Sequence, residues 1–217
     1  MRHTTAFLIA GLLFWLAGAA QALSSDRIVV RDMSGRAVAP LDSARSTPEF
    51  HRKPDNSDQP ASSKTSERRA TVLFFITTDC PIANACAPEI ERIYQSYVQK
   101  HVAFYLVYVD ASQGSAVVRK HHKEYGYSIP AVLDPDHLLV KKAGATVTPE
   151  TALFSADGRL LYHGRIDDRA VAYGQVRAEP TRRDLRDTLD SYLQGKPIPV
   201  SHTNAVGCII ADLGRKH

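Results

Sequence analysis

The sequence predicts an α/β fold, a three-layer α/β/α sandwich around a central mixed sheet, and three observations carry that prediction. From residue 70 onward, two apolar runs without polar alternation, 70–77 and 102–109, are separated by a polar helical pattern, as in strands covered on both faces. Between them Ile90, Ile93, Tyr94, Tyr97 and Val98 recur at i, i+3, i+4, i+7 and i+8, one apolar stripe of a helix. Asp157-Gly158 then separates 152–155 from 159–163, a hairpin pattern that places antiparallel strands at one edge.

In order, 27–30 reads as a short strand, and Asp32-Met33-Ser34-Gly35-Arg36 as a turn into a second strand at 37–41. Residues 42–69 carry Pro48, Pro54, Pro60 and many serines and charges, with almost nothing to bury; they are expected to be a disordered surface insertion. The buried strand 70–77 is followed by a helix over 88–101 and a second buried strand, 102–109. A charged helix spans 115–125, with His121 and His122 expected on its solvated face, and an extended segment covers 129–133. A short helix follows at 137–143, then the hairpin, in which His163 reads as a packed strand residue. The last helix, 181–193, opens on Thr181 and Asp184, spaced as a capping box, and presents Leu185, Leu189, Tyr192 and Leu193 to the core. Residues 196–217 form a tail that contains Cys208.

Residues 1–22 read as an export signal: Arg2 and His3, an apolar stretch over 6–20, and Ala20-Gln21-Ala22 as a cleavage site. About 15 apolar residues fall short of the roughly 20 that span a bilayer. The expectation is therefore an exported chain, periplasmic or secreted, with no stable membrane anchor after cleavage. The mature stretch, 23–217, is the right size for one domain. The net charge of +4 comes from basic residues interspersed with acids, which gives no support for nucleic-acid binding.

Cys80 ends the first buried strand in Asp79-Cys80-Pro81, where the chain turns into a helix and the positive end of the helix dipole stabilises a thiolate. Position 83, the partner position of a Cys-x-x-Cys motif, is Ala83. Three cysteines are an odd number for an oxidising compartment, which favours redox chemistry over a disulfide scaffold. If 80–86 is helical, Cys86 lies about 9 Å along the axis from Cys80 and roughly 10 Å away in Cα separation, beyond the reach of a disulfide. Cys208, in the apolar stretch 206–210, has no such constraint. A Cys80–Cys208 disulfide is the leading expectation, with Cys86–Cys208 pairing and no native disulfide as the alternatives.

These offsets resemble the thioredoxin-like superfamily, and within it the exported redoxin proteins related to thiol peroxidases and thiol-disulfide oxidoreductases. Cys80 matches the first cysteine of the thioredoxin site, and Pro88 the proline of its active-site helix. Thr148-Pro149 and the hairpin after it match the cis-proline loop and last two strands. The chain is also similar to a redoxin subgroup marked by Thr78-Asp79-Cys80-Pro81-Ile82-Ala83-Asn84, Thr148-Pro149-Glu150, Gly164-Arg165-Ile166-Asp167-Asp168 and Ala205-Val206-Gly207-Cys208. The resemblance implies that Cys80 is the attacking thiolate. It also implies a cis Thr148-Pro149 bond beside that cysteine, with the Thr148 backbone free to pair with an extended substrate.

The leading functional reading is a thiol-disulfide oxidoreductase in which Cys80 attacks a partner's disulfide and Cys208, or an external thiol, resolves the mixed disulfide. The alternative is a peroxiredoxin-like peroxidase, in which Cys80 becomes a sulfenic acid. Thr77 and Cys80 have the Thr-x-x-Cys spacing of that site, but Leu73 replaces its leading proline and Arg165 would have to supply its arginine. Arg165 also reads as a structural ion pair with Asp167 or Asp168 at the sheet edge. Asp79, Thr77, Cys86 and Arg165 are accessory candidates. A third reading, a Sco-type copper-binding factor, lacks its second cysteine because position 84 is Asn84. The expected partners are a disulfide-bearing or peroxide substrate and a thiol reductant of the cell envelope, with no cofactor and no metal.

Overall fold

The computed structural model describes residues 27–42 and 68–211. The export signal expected at 1–22, the core of the expected insertion (43–67) and the end of the tail (212–217) lie outside the described residues. Among the described residues no helix is long and apolar enough to cross a membrane.

The strands are β1 (Val30–Asp32), β2 (Ala37–Val38), β3 (Ala70–Ile76), β4 (Val102–Tyr108), β5 (Ala131–Leu133), β6 (Val147–Thr148), β7 (Glu150–Ser155), β8 (Leu160–Gly164), β9 (Ala170–Ala172), β10 (Gln175–Val176) and β11 (Cys208–Ile209). The helices are α1 (Pro81–Tyr97), α2 (Ser115–Glu124), α3 (Leu138–Ala143) and α4 (Asp184–Leu193). Seven strands form one mixed sheet in the order β2-β1-β5-β4-β3-β7-β8. β3, β4 and β5 run parallel at its centre, while β7 and β8 close one edge antiparallel and β1 and β2 the other.

All seven residues of β3 and of β4 are buried, as strands covered on both faces require. Val72, Phe74 and Ile76 of β3 pack with Ile90 and Ile93 of α1, Val118 of α2 and Leu185 and Leu189 of α4. The alternate residues Leu73 and Phe75 pack on the other face with Leu139 and Val140 of α3. Period-two alternation thus splits one strand between the two helical layers.

The structure changes several expectations. The first helix begins at Pro81 rather than 88, because proline is suited to the first helical position and Cys80 caps the end. Pro88 falls inside it, where it has no N–H for the carbonyl four residues back. The last helix begins at Asp184; Thr181 is outside it, because its N–H and hydroxyl both donate to the Asp168 carboxylate. His121 is 5% exposed, not solvated. Finally, the hairpin β9–β10 and the tail strand β11 had no apolar pattern long enough to reveal them.

Asp134, wholly buried, shows how the second layer is attached. Its carboxylate accepts from the N–H groups of Leu138, Leu139 and Val140 at 2.8, 2.9 and 3.0 Å, which closes the start of α3.

Candidate active site

Cys80 is the N-cap of α1, and its Sγ accepts from the N–H of Ala83 at 3.5 Å. The residue is 1% exposed. The cover comes from the loop carrying Thr148-Pro149, a cis peptide in this structure, and from the tail. As a thiol, Cys80 donates to the Thr148 carbonyl at 2.9 Å.

β11 lies antiparallel on β6 with Cys208 opposite Thr148 and Ile209 opposite Val147. This register sets Cys208 across from the residue whose carbonyl accepts from Cys80, and Cys208 thereby helps to lower the Cys80 pKa. Gly207 makes the approach feasible: a Cβ there would lie 2.2 Å from the Thr148 carbonyl oxygen, far inside van der Waals contact. Upstream, the tail is held to β8, where the His163 N–H donates to the Ser201 carbonyl and the Thr203 N–H to the His163 carbonyl. Thr203 Oγ1 also accepts from the N–H of Arg165 and shares a 2.6 Å hydrogen bond with the Tyr162 hydroxyl.

The two sulfurs are electrostatically unequal. Burial raises the Cys80 pKa, but donation from the Cys208 thiol, the Ala83 N–H, Thr148 and the Cys208 N–H outweighs it and holds the group below an ordinary thiol. Cys208 is pushed up to about 11 by burial, by Cys80 and by the Asp79 carboxylate, against a hydrogen bond with Tyr173. Of the two sulfurs, Cys80 is therefore the easier to ionise and Cys208 the harder.

Thr77 is at the margin of this group, its Oγ1 3.5 Å from that of Thr148. Cys86 sits on the same helix, half-buried, and burial with the charges of Asp167 and Cys80 drives it to about 12. Arg165 turns to the start of α4, where its Nε donates to Asp184 Oδ2 at 2.7 Å; the partner is Asp184, not the expected Asp167 or Asp168. Asp168 instead pairs with Arg177 and holds the loop before α4.

Several residues beside the site escaped sequence reasoning. Asn84 Nδ2 donates to the Thr78 carbonyl at 3.0 Å and so fixes the loop before Cys80, while its Oδ1 lies 2.9 Å from His121 Nε2. An amide oxygen only accepts, so Nε2 carries the proton and Nδ1 accepts from the Tyr108 hydroxyl at 2.9 Å. Glu150, 3% exposed, accepts from the N–H groups of Thr146 and Val147 and shapes the cis-proline loop from below. Asn84, Glu150 and Gly207 all fall in the runs that carried the family resemblance, but their type and spacing alone gave them no role. Among the described residues no group of three or more His, Cys, Asp or Glu is arranged to hold a metal ion.

The architecture is shared with solved structures. An uncharacterised conserved protein from Geobacillus kaustophilus superposes with a TM-score of 0.65 at 23% identity, over 87% of this chain and 89% of that one. A hypothetical protein from Sinorhizobium meliloti 1021 gives 0.64 at 23% identity, over 84% and 89%. A putative thioredoxin from Neisseria meningitidis gives 0.51 at 18% identity, over 77% and 87%, in keeping with the thioredoxin-like fold. No curated protein matches the sequence significantly. The AhpC/TSA family model matches residues 44–163, more than half of the chain and the stretch that holds both Cys80 and Thr148-Pro149, and the protein belongs to that family.

Proposed function

We propose that this protein is an exported thiol-disulfide oxidoreductase with Cys80 as nucleophile and Cys208 as its resolving thiol. The observation that carries this reading is the placing of Cys208, by a tail strand paired to the cis-proline loop, directly opposite Thr148, whose carbonyl accepts from Cys80 at 2.9 Å. Cys80 thiolate attacks a sulfur of the substrate disulfide, and the distal substrate sulfur leaves as thiolate. Cys208, deprotonated as its proton passes to the departing thiolate or to water, then attacks Cys80 Sγ. The second substrate sulfur leaves, and an internal Cys80–Cys208 disulfide remains. Ala83 at the usual resolving position makes the tail cysteine the local source of the second thiol.

Membership of the AhpC/TSA family supports a second reading, in which Cys80 reduces a peroxide to an alcohol or water, becomes a sulfenic acid and condenses with Cys208 with loss of water. The Arg165–Asp184 ion pair speaks against it, since the guanidinium expected to polarise the peroxide is bound to another group.

Non-reducing peptide mapping of the protein from its own envelope, wild type and Cys208→Ser, tests the pairing. A Cys80–Cys208 linked peptide, with the variant accumulating mixed disulfides, is the expected result. Absence of that linkage, with full turnover by the variant on a model disulfide and on hydrogen peroxide, would remove Cys208 from the mechanism. The ratio of the two turnover rates separates the readings.

A further inference from the structure

The tail strand β11 displays the kind of segment that the edge of β6 admits. Cys208 lies opposite Thr148 and Ile209 opposite Val147, and the Ile210 N–H donates to the Thr146 carbonyl at 3.0 Å, so main-chain pairing continues past the cysteine. The Thr148 carbonyl is the acceptor for the Cys80 thiol, so the residue across from Thr148 is the one set toward the reactive sulfur. The positions around it differ in what they tolerate. At 207 only glycine fits: a Cβ would lie 2.2 Å from the Thr148 carbonyl oxygen and 2.6 Å from its carbon, main-chain atoms that cannot swing aside as a flexible side chain does. The requirement is one of space, since the φ of Gly207 lies outside the left-handed region that favours glycine. Side chains beyond it alternate as in any strand. Ile209 stands outward at 86% exposed, whereas Cys208 and Ile210 each pack against buried apolar residues, Ile210 against the cluster that holds Leu139 and Val140.

We propose that Gly207-Cys208-Ile209-Ile210 is an internal stand-in for the substrate, and that the β6 edge selects disulfide-bonded protein segments of the form Gly-Cys-x-aliphatic. This rests on the disulfide-exchange reading above and names its substrate class. The substrate segment takes the place of the tail by adding a strand to the same edge, with its cysteine across from Thr148. Cys80 thiolate bonds to the sulfur of that cysteine, the substrate disulfide breaks, and its electron pair leaves on the distal sulfur, which takes up a proton from water. When the segment gives way and the tail returns, Cys208 occupies the place that the substrate cysteine held. One position on the strand therefore serves attack and resolution in turn. A residue larger than glycine before the substrate cysteine meets the Thr148 carbonyl as a Cβ at 207 does, and a polar residue two places after the cysteine forgoes the burial that Ile210 has.

The test uses the reduced full chain and, as probes, blocked tetrapeptides whose cysteine is a mixed disulfide with thionitrobenzoate, the release of which is followed by absorbance. Each rate is divided by that of dithiothreitol with the same peptide, which removes intrinsic differences among the disulfides. Gly-Cys-Ala-Ile should react at least about 10-fold faster than Ala-Cys-Ala-Ile, as overpacking against a fixed carbonyl implies. It should exceed Gly-Cys-Ala-Ser by at least about 3-fold, through aliphatic burial, and differ from Gly-Cys-Lys-Ile by less than about 2-fold, because that side chain faces water. Equal rates for the glycine and alanine peptides would overturn the proposal. In Gly207→Ala, where the tail is loosened, every peptide should react faster and the glycine preference should persist; its disappearance would place the selectivity in the tail and overturn the edge as its source. Peptide mapping on Cys208→Ser, which traps the mixed disulfide, separates the two levels. No peptide on Cys80 from any probe rejects disulfide exchange itself, whereas peptide on Cys80 at equal rates rejects only the selectivity.

Discussion

Cys208 stands directly opposite Thr148 in the β6–β11 pair, so the chain's own tail occupies the strand edge beside Cys80. The same edge is where an extended substrate would pair in the oxidoreductase reading, by addition of a strand to exposed main-chain groups. In that reading a protein disulfide reaches Cys80 only after β11 lifts.

Gly207 sets how firmly the strand sits. In Gly207→Ala the new methyl meets the Thr148 carbonyl at 2.2 Å, an overlap that the seated tail relieves by detaching. Overpacking of this kind costs about 1–3 kcal/mol, which raises the detached population by roughly 5- to 150-fold. Alkylation of Cys80, followed by mass spectrometry, should accelerate by a comparable factor while the urea midpoint of the domain stays nearly constant. An unchanged alkylation rate would mean that β11 does not guard the sulfur.

The Cys208 thiol helps to hold the Cys80 pKa down against burial. Cys208→Ala removes that donor and keeps the backbone N–H. The thiolate of Cys80, read from its ultraviolet absorbance as pH is raised, should therefore form at higher pH in the variant than in wild type. Serine, whose hydroxyl also donates, should recover part of the difference. A midpoint that does not move would show that the two side chains are not coupled.

The legibility of fold and site in the sequence depends on the range of the interaction. β3, β4 and the apolar stripe of α1 were readable because burial repeats with the period of the local backbone, and Cys80 because it ends such a run. Cys208 could be named as a partner, but its pairing with Thr148 could not be seen, since a two-residue strand has no periodicity. His121 looked solvated among the charges of α2; its burial depends on Asn84 and Tyr108, 37 and 13 residues away in sequence. Arg165 had adjacent acids in Asp167 and Asp168, yet bonds Asp184, 19 residues on, because α4 returns its first turn to the end of β8. Local spacing carries no information about such returns.

Arg165 offers a decisive substitution. Asp184 is 3% exposed, so Arg165→Met leaves a buried carboxylate with only the longer 3.7 Å contact to Arg182. Breaking a buried pair from one side costs up to about 3 kcal/mol when the arginine is itself partly solvated. Urea unfolding should show that loss, and Arg165→Met/Asp184→Leu should regain most of it. Cys80 alkylation in the folded single variant should remain close to wild type. A large fall in thiolate reactivity without loss of stability would instead make Arg165 part of the sulfur's environment.

His121 predicts a pH dependence with a definite sign. Burial lowers its pKa below the ordinary histidine value, and its bonds to Asn84 and Tyr108 need the neutral ring, with Nδ1 as an acceptor. The unfolded chain therefore binds a proton near pH 6.5 that the folded chain refuses, and stability falls as pH drops below that value. At pH 8 the ring is neutral in both states and the contribution is fully present. In His121→Phe the bond to Tyr108 and the bond to Asn84 Oδ1 are lost, with a cost of about 1–3 kcal/mol for each buried group left unsatisfied. That variant should be less stable than wild type at pH 8, and the gap should narrow between pH 6.5 and 5, measured as urea midpoints at each pH. A gap that stays constant across this range would mean that His121 is not held neutral, and the Asn84–His121–Tyr108 chain would lose its role in fixing the loop before Cys80.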